Sequence, residues 1–268
     1  MKKEKKVPTK YKVLFTLLFV YAIGLFGYLF LFSKDKSITN TYFYLNSESI
    51  FKYSKETTEW SENFSLSEIK GQIFDVYDSP KHKNSYRLYY QEKNVYYYSL
   101  DNDPIKMMDD NWYAVTQDED VKINYLESYE NKEINDDIEQ ILSENNLSEY
   151  LPEIIYVASF DFDEDGTKEK IYSISNAFSS EEKLYSIIFV VDNQSFSYVK
   201  KEIVDNYMDE DVQMMTTPVS QMFVVASITI KNKNYIFIQK DDMGKSKPEY
   251  EIYTYQNSNL KLVKNIKE

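Results

Sequence analysis

Apolar and polar residues alternate in short runs along most of this chain, and a period of two is the mark of half-buried β-strands. The first half offers TYFYL (41–45), SIFKYS (49–54), QIFDVY (72–77), YRLYYQ (86–91), NVYYYSL (94–100) and WYAVTQ (112–117). YRLYYQEKNVYYYSL predicts a hairpin with its polar tip at Glu92 and Lys93. The second half offers EIIYVASF (153–160), KIYSISN (170–176), KLYSIIFVVD (183–192), SFSYVKKEI (195–203), MFVVASITI (222–230), NYIFIQK (234–240) and YEIYTYQ (250–256). Between them stand DNQS, KNKN, DDMGKSKPE and QNSN, all turn compositions.

The period changes once outside the N-terminal region. In EINDDIEQILSENNLSEYLPE, Ile138, Ile141 and Leu142 fall at i, i+3 and i+4. Asn135 can cap the first amides, with Asp136 and Asp137 at the positive end of the dipole. Asn145 and Asn146 can end the helix, and Pro152 blocks its continuation. A helix over 133–150 is predicted, the only substantial one outside the membrane.

Residues 13–32, VLFTLLFVYAIGLFGYLFLF, carry no charge over twenty positions, enough to cross a bilayer as a helix. Six lysines against Glu4 give the first twelve residues +5, whereas SKDK follows the run. Positive flanks stay in the cytoplasm, so the rest of the chain is expected outside, in the manner of an uncleaved signal anchor. The organisation predicted is a basic tail (1–12), a transmembrane helix (13–32), a β-rich region (33–132), a helical connector (133–152) and a second β-rich region (153–268). The fold class is mainly β, a sandwich or propeller-like fragment with one helix between two β-rich halves.

Composition narrows the chemistry. The chain has no cysteine and one histidine, His82, in the basic stretch SPKHKNS. That excludes disulfides and thiolate sites and makes a Ser-His-Asp triad improbable. The whole chain carries −13 and its tail +5, leaving the remainder at −18, a surface that repels nucleic acid and anionic lipid. Tyr89, Tyr90, Tyr96, Tyr97 and Tyr98 could stack on sugars, but neighbours along a strand point to opposite faces, and strand propensity accounts for them. Asp209, Glu210 and Asp211 read as a charged surface loop, and Asp101 and Asp103 beside Pro104 as a turn. The Lys, Asn, Ile and Tyr bias suits an AT-rich bacterial genome, and the lack of cysteine a Gram-positive cell surface.

The sharpest chemical signal is FDFDEDGTKEKIY (160–172). Asp161, Asp163 and Asp165 alternate, Gly166 permits a sharp turn, Thr167 can offer its carbonyl, and Glu169 adds a fourth acid. A helix-loop-helix calcium hand needs glutamate at the twelfth position, where Tyr172 stands, and the flanks here are strand-like. Three carboxylates converging without a cation would repel one another. The expectation is one structural Ca²⁺ held by Asp161, Asp163, Asp165, Thr167 and Glu169.

Over residues 153–176 this stretch resembles the calcium-binding hairpin of the FG-GAP and VCBS family, whose loop reads D-x-D/N-x-D-G-x-x-D between apolar strands. Glu169 replaces the commoner aspartate, the Phe-Gly and Gly-Ala-Pro signatures are absent, and the motif occurs once. The resemblance implies a calcium-stabilised β-hairpin rather than a complete propeller. The function expected is a membrane-anchored extracytoplasmic binding or scaffold protein with an unidentified protein or glycan partner. The alternative is an envelope glycan hydrolase using paired carboxylates, though no pair stands out in the sequence.

Overall fold

The computed structural model describes residues 39–45, 49–79, 82–91, 94–99, 104–105, 113–124, 126–130, 133–177, 179–193, 195–205, 219–242, 245 and 247–266. The basic tail and the apolar run at 13–32 lie outside the described residues, as do Asp101, Asp103 and the Asp209–Asp211 stretch. Among the described residues no helix is long and apolar enough to cross a membrane.

The chain is mainly β, and among the described residues the sheets do not close into a barrel. Its strands are β1 (Asn40–Tyr44), β2 (Ile50–Ser54), β3 (Glu59–Ser61), β4 (Ile73–Ser79), β5 (His82–Gln91), β6 (Asn94–Ser99), β7 (Pro104–Ile105), β8 (Tyr113–Thr116), β9 (Val121–Asn124) and β10 (Glu127–Glu130). After the helix α1 (Asp136–Glu144) come β11 (Ile154–Phe160), β12 (Glu169–Ser175), β13 (Lys183–Asp192), β14 (Ser195–Asp205), β15 (Gln221–Ile230), β16 (Lys233–Asp241), β17 (Glu249–Gln256) and β18 (Asn259–Ile266). The first sheet runs β3-β2-β1-β8-β4-β5-β6-β7, the second β18-β17-β16-β15-β9 and the third β10-β11-β12-β13-β14, every pairing antiparallel.

The predicted hairpin is present: Tyr89 lies opposite Tyr96 and Gln91 opposite Asn94 in the β5–β6 pair. His82 stands at the first position of β5, at the hairpin end where it pairs with Ser79. Two hairpins close on residues in left-handed conformation, Lys231 and Asn232 between β15 and β16, and Asn257 and Ser258 between β17 and β18. This is the two-residue geometry whose twist matches that of the strands.

The second sheet is the middle layer, and its inner strands β15, β16 and β17 bury side chains on both faces. Along β16 the alternation sends Tyr235 and Phe237 against Phe43, Phe51 and Trp60 of the first sheet, while Ile236 and Ile238 meet Ile171, Ile188 and Val190 of the third. Phe237 has its ring centroid 5.0 Å from that of Phe43 and 5.2 Å from that of Trp60. The third sheet's other face carries α1, whose Ile138, Ile141 and Leu142 pack on Val157, Tyr172, Ile174 and Phe189. The helix caps as its sequence predicts: Ile138 N–H donates to Asn135 Oδ1. Tyr172 ties it down, its hydroxyl donating to Asp137 Oδ2 and accepting from Asn135 Nδ2.

The sheets do not sort by chain half. β9 and β10 precede the helix, yet β9 is the edge of the middle sheet beside β15, and β10 pairs with β11 in the third. α1 therefore joins two neighbouring strands of one sheet and covers that sheet's outer face.

Candidate metal centre

Residues 161–168 connect β11 to β12, which pair antiparallel from Ile154 opposite Ser175 down to Phe160 opposite Glu169. Short acidic side chains shape the bend by capturing backbone amides ahead of them. Asp163 Oδ1 accepts from Asp165 N–H (3.2 Å), Asp165 Oδ1 from Thr167 N–H (2.7 Å), and Asp161 Oδ2 from Gly166 N–H (3.0 Å). Gly166 has φ +92°, a conformation that glycine adopts freely, and Glu164 also lies at positive φ. Glu169, the first residue of β12, reaches back across the turn, and its Oε2 accepts from Phe162 N–H at 2.6 Å.

These bonds aim four carboxylates at one point. Asp161, Asp163, Asp165 and Glu169 each offer an oxygen, and the four oxygens lie within 4.8 Å of one another. Asp163 and Asp165 are exposed, Asp161 is half-buried, and Glu169 is 1% exposed. Two oxygens in the group, Asp161 Oδ1 and Glu169 Oε1, are buried without a hydrogen-bond partner. Buried polar atoms are almost always partnered, and these two orphans in one cluster of like charge present lone pairs that a cation could accept.

The electrostatics agree with the geometry. Burial pushes the Glu169 carboxyl up to about 7. The hydrogen bond from Phe162 opposes that shift, and the charges of Asp163 and Asp192 add to it. An ionised Glu169 is therefore costly in the metal-free protein, and a cation would reverse that cost.

All four sequence-predicted carboxylates come together. Thr167 sits in the same turn, exposed, with its N–H on Asp165. Tyr172, which the twelfth-position rule had set aside, faces α1 on the other side of the sheet. Three neighbours were not anticipated. Asp192, at the end of β13, is buried and accepts from Tyr255 Oη–H at 3.0 Å. The Tyr255 ring lies 5.5 Å from that of Phe162, the residue between the first two aspartates. Asn234 of β16 donates through Nδ2 to the Phe162 carbonyl at 2.5 Å. The one sequence signal for Asn234 is a polar residue at the entry to an apolar strand.

Compared with known proteins, the chain matches no family model, no curated protein and no solved structure.

Proposed function

We propose that this chain is a membrane-anchored, extracytoplasmic binding or scaffold protein whose β-fold is tied by a calcium ion at Asp161, Asp163, Asp165 and Glu169, with the Thr167 carbonyl as a further ligand. The observation that carries the metal is Glu169: nearly fully buried, with Oε1 unpartnered among three other carboxylates. The donor set favours calcium by its chemistry. It is all oxygen and mostly carboxylate, without the imidazole or thiolate that selects zinc or copper. Magnesium retains its water more firmly and demands a strict octahedron, which four carboxylates on a short loop suit poorly. The local resemblance to FG-GAP and VCBS hairpins points the same way.

The anchor rests on the uncharged run at 13–32 and its lysine flank, and the outward orientation on the charge asymmetry. The glycan-hydrolase reading gains nothing from the raised Glu169 carboxyl. A general acid must touch its substrate, and this side chain is closed off within the turn. A structural ion on a β-scaffold is the simpler use of the site, with binding to a wall glycan or an envelope protein left to the sheets' outer surfaces.

The test is thermal melting of the full-length chain, kept in mild detergent, in excess calcium, magnesium or chelator. Ligand linkage predicts a gain of about 2 to 3 kcal/mol at a calcium level about a hundred times the dissociation constant. Identical melting in calcium and chelator would reduce the loop to an acidic turn. Protease applied to intact spheroplasts should remove the bulk of the chain, and its survival would overturn the orientation.

A further inference from the structure

The two backbone groups of Phe162 are held from opposite sides. Its N–H donates to Glu169 Oε2 inside the carboxylate cluster, and its carbonyl accepts from Asn234 Nδ2 on the middle sheet. The orientation of the Asn234 amide is set by its surroundings. Its Oδ1 accepts from Asn124 Nδ2 of β9 at 3.1 Å and lies against the Thr229 hydroxyl of β15. With the oxygen committed to those donors, the nitrogen has to face the loop. Asn124 is itself fixed, since its Nδ2 also donates to Ser227 Oγ at 3.0 Å. The network thus joins β9, β15 and β16 and ends on the carbonyl of Phe162, the one residue between Asp161 and Asp163. The Phe162 side chain adds a second attachment: it is 4% exposed and packed in the core between the middle and third sheets.

From this we infer that Asn234 is a positioning residue for the cation loop, and that cation binding at the third sheet is linked through it to the order of the middle sheet. The inference rests on the calcium reading. A cation drawn between Asp161, Asp163 and Glu169 orders the backbone on both sides of Phe162, and Asn234 holds the carbonyl that leads into Asp163. Linkage is reciprocal, so loosening Asn234 must weaken the cation, and the cation must quieten the strands that hold Asn234. Asn234 reaches the loop through its amide nitrogen, and its oxygen is taken up by Asn124 and Thr229, which separates this effect from direct ligation.

Two measurements on the full-length chain in detergent decide it. The first is amide hydrogen exchange of the wild type with calcium and with chelator. Calcium should slow exchange in 161–169 and also around Asn124, Ser227–Thr229 and Asn234. The second is a calcium titration of Asn234→Ala. Loss of a residue that orients a metal ligand commonly weakens metal binding by roughly 10- to 100-fold, and that range is expected here. Slowing in the variant should then be confined to the loop and its own hairpin. A merely structural Asn234 would lower the melting temperature in chelator and leave calcium affinity unchanged, which would overturn the inference. So would calcium binding to the wild type with slowed exchange only in 161–169, and this result would leave the calcium reading intact. Failure of the wild type to bind calcium would remove both. Should Asn234→Ala fail to fold, the wild-type exchange pattern decides alone.

Discussion

Replacing Glu169 by glutamine separates the two states in which that side chain matters. In the metal-free protein the carboxyl is 1% exposed and is pushed up to about 7 from its ordinary 4.5. The native state then binds this proton more tightly than the unfolded chain does. The resulting cost to stability is absent below about pH 4.5, grows as pH rises and is complete above about pH 7. Moving the carboxyl from 4.5 to about 7 is worth about 3 kcal/mol. Glutamine has the same shape, carries no charge and keeps an acceptor for Phe162 N–H. Exchanging a charge-assisted bond for a neutral one gives back about 1 kcal/mol of that gain. Glu169→Gln should therefore be about 2 kcal/mol more stable than the wild type in chelator at about pH 8, a rise in melting temperature of roughly 4 to 8 °C for a chain of this size. The advantage should nearly vanish at about pH 5, where the native wild-type carboxyl is already protonated. In excess calcium the order should reverse, because the wild type gains from the ion and the variant has lost a ligand. Differential scanning calorimetry in the two media at both pH values reads all of this. A variant no more stable than the wild type in chelator at the higher pH, or an advantage that ignores pH, would refute the claim that an unpaired carboxylate is buried there.

Asp163→Ala should lose most of the calcium-dependent rise in melting temperature while leaving the melt in chelator unchanged or slightly raised, since one repelling charge is gone. Asn135→Ala removes the cap on α1 and its bond to Tyr172, and chemical denaturation should show a loss of about 1 kcal/mol with calcium affinity unaltered. Phe237→Ala empties a fully buried ring position between the first and middle sheets and should cost about 3 to 5 kcal/mol by the same measurement, whether or not calcium is present.

The strands that bury one face were legible because alternation is a local property: β2, for example, buries Phe51 and Tyr53 and leaves Lys52 and Ser54 half-buried. β18 was missed because NLKLVKNI is an edge strand, exposed along most of its length, with Leu262 at 49% exposure and lysines at 261 and 264. Its pattern carries no burial signal, and lysines along an edge discourage further pairing. β9 was missed because four residues are too few to show a period, and its partner β15 lies about a hundred positions further on. Which strands share a sheet depends on such non-local pairings, so the three-layer order could not be read from chain halves. The candidate centre divides in the same way. Its four carboxylates fall within nine consecutive residues and announce themselves by spacing, whereas Asn234 is 72 positions from the peptide it holds and Asp192 reaches the site only through the fold of β13.

Equilibrium dialysis of the full-length chain against radiolabelled calcium, with the Asp161→Ala, Asp163→Ala double variant alongside, is the most direct test of a cation-tied fold. The wild type should retain about one ion per chain, with competing magnesium displacing it poorly, and the double variant should retain none. Equal retention by both proteins, or none by the wild type, would contradict the calcium centre.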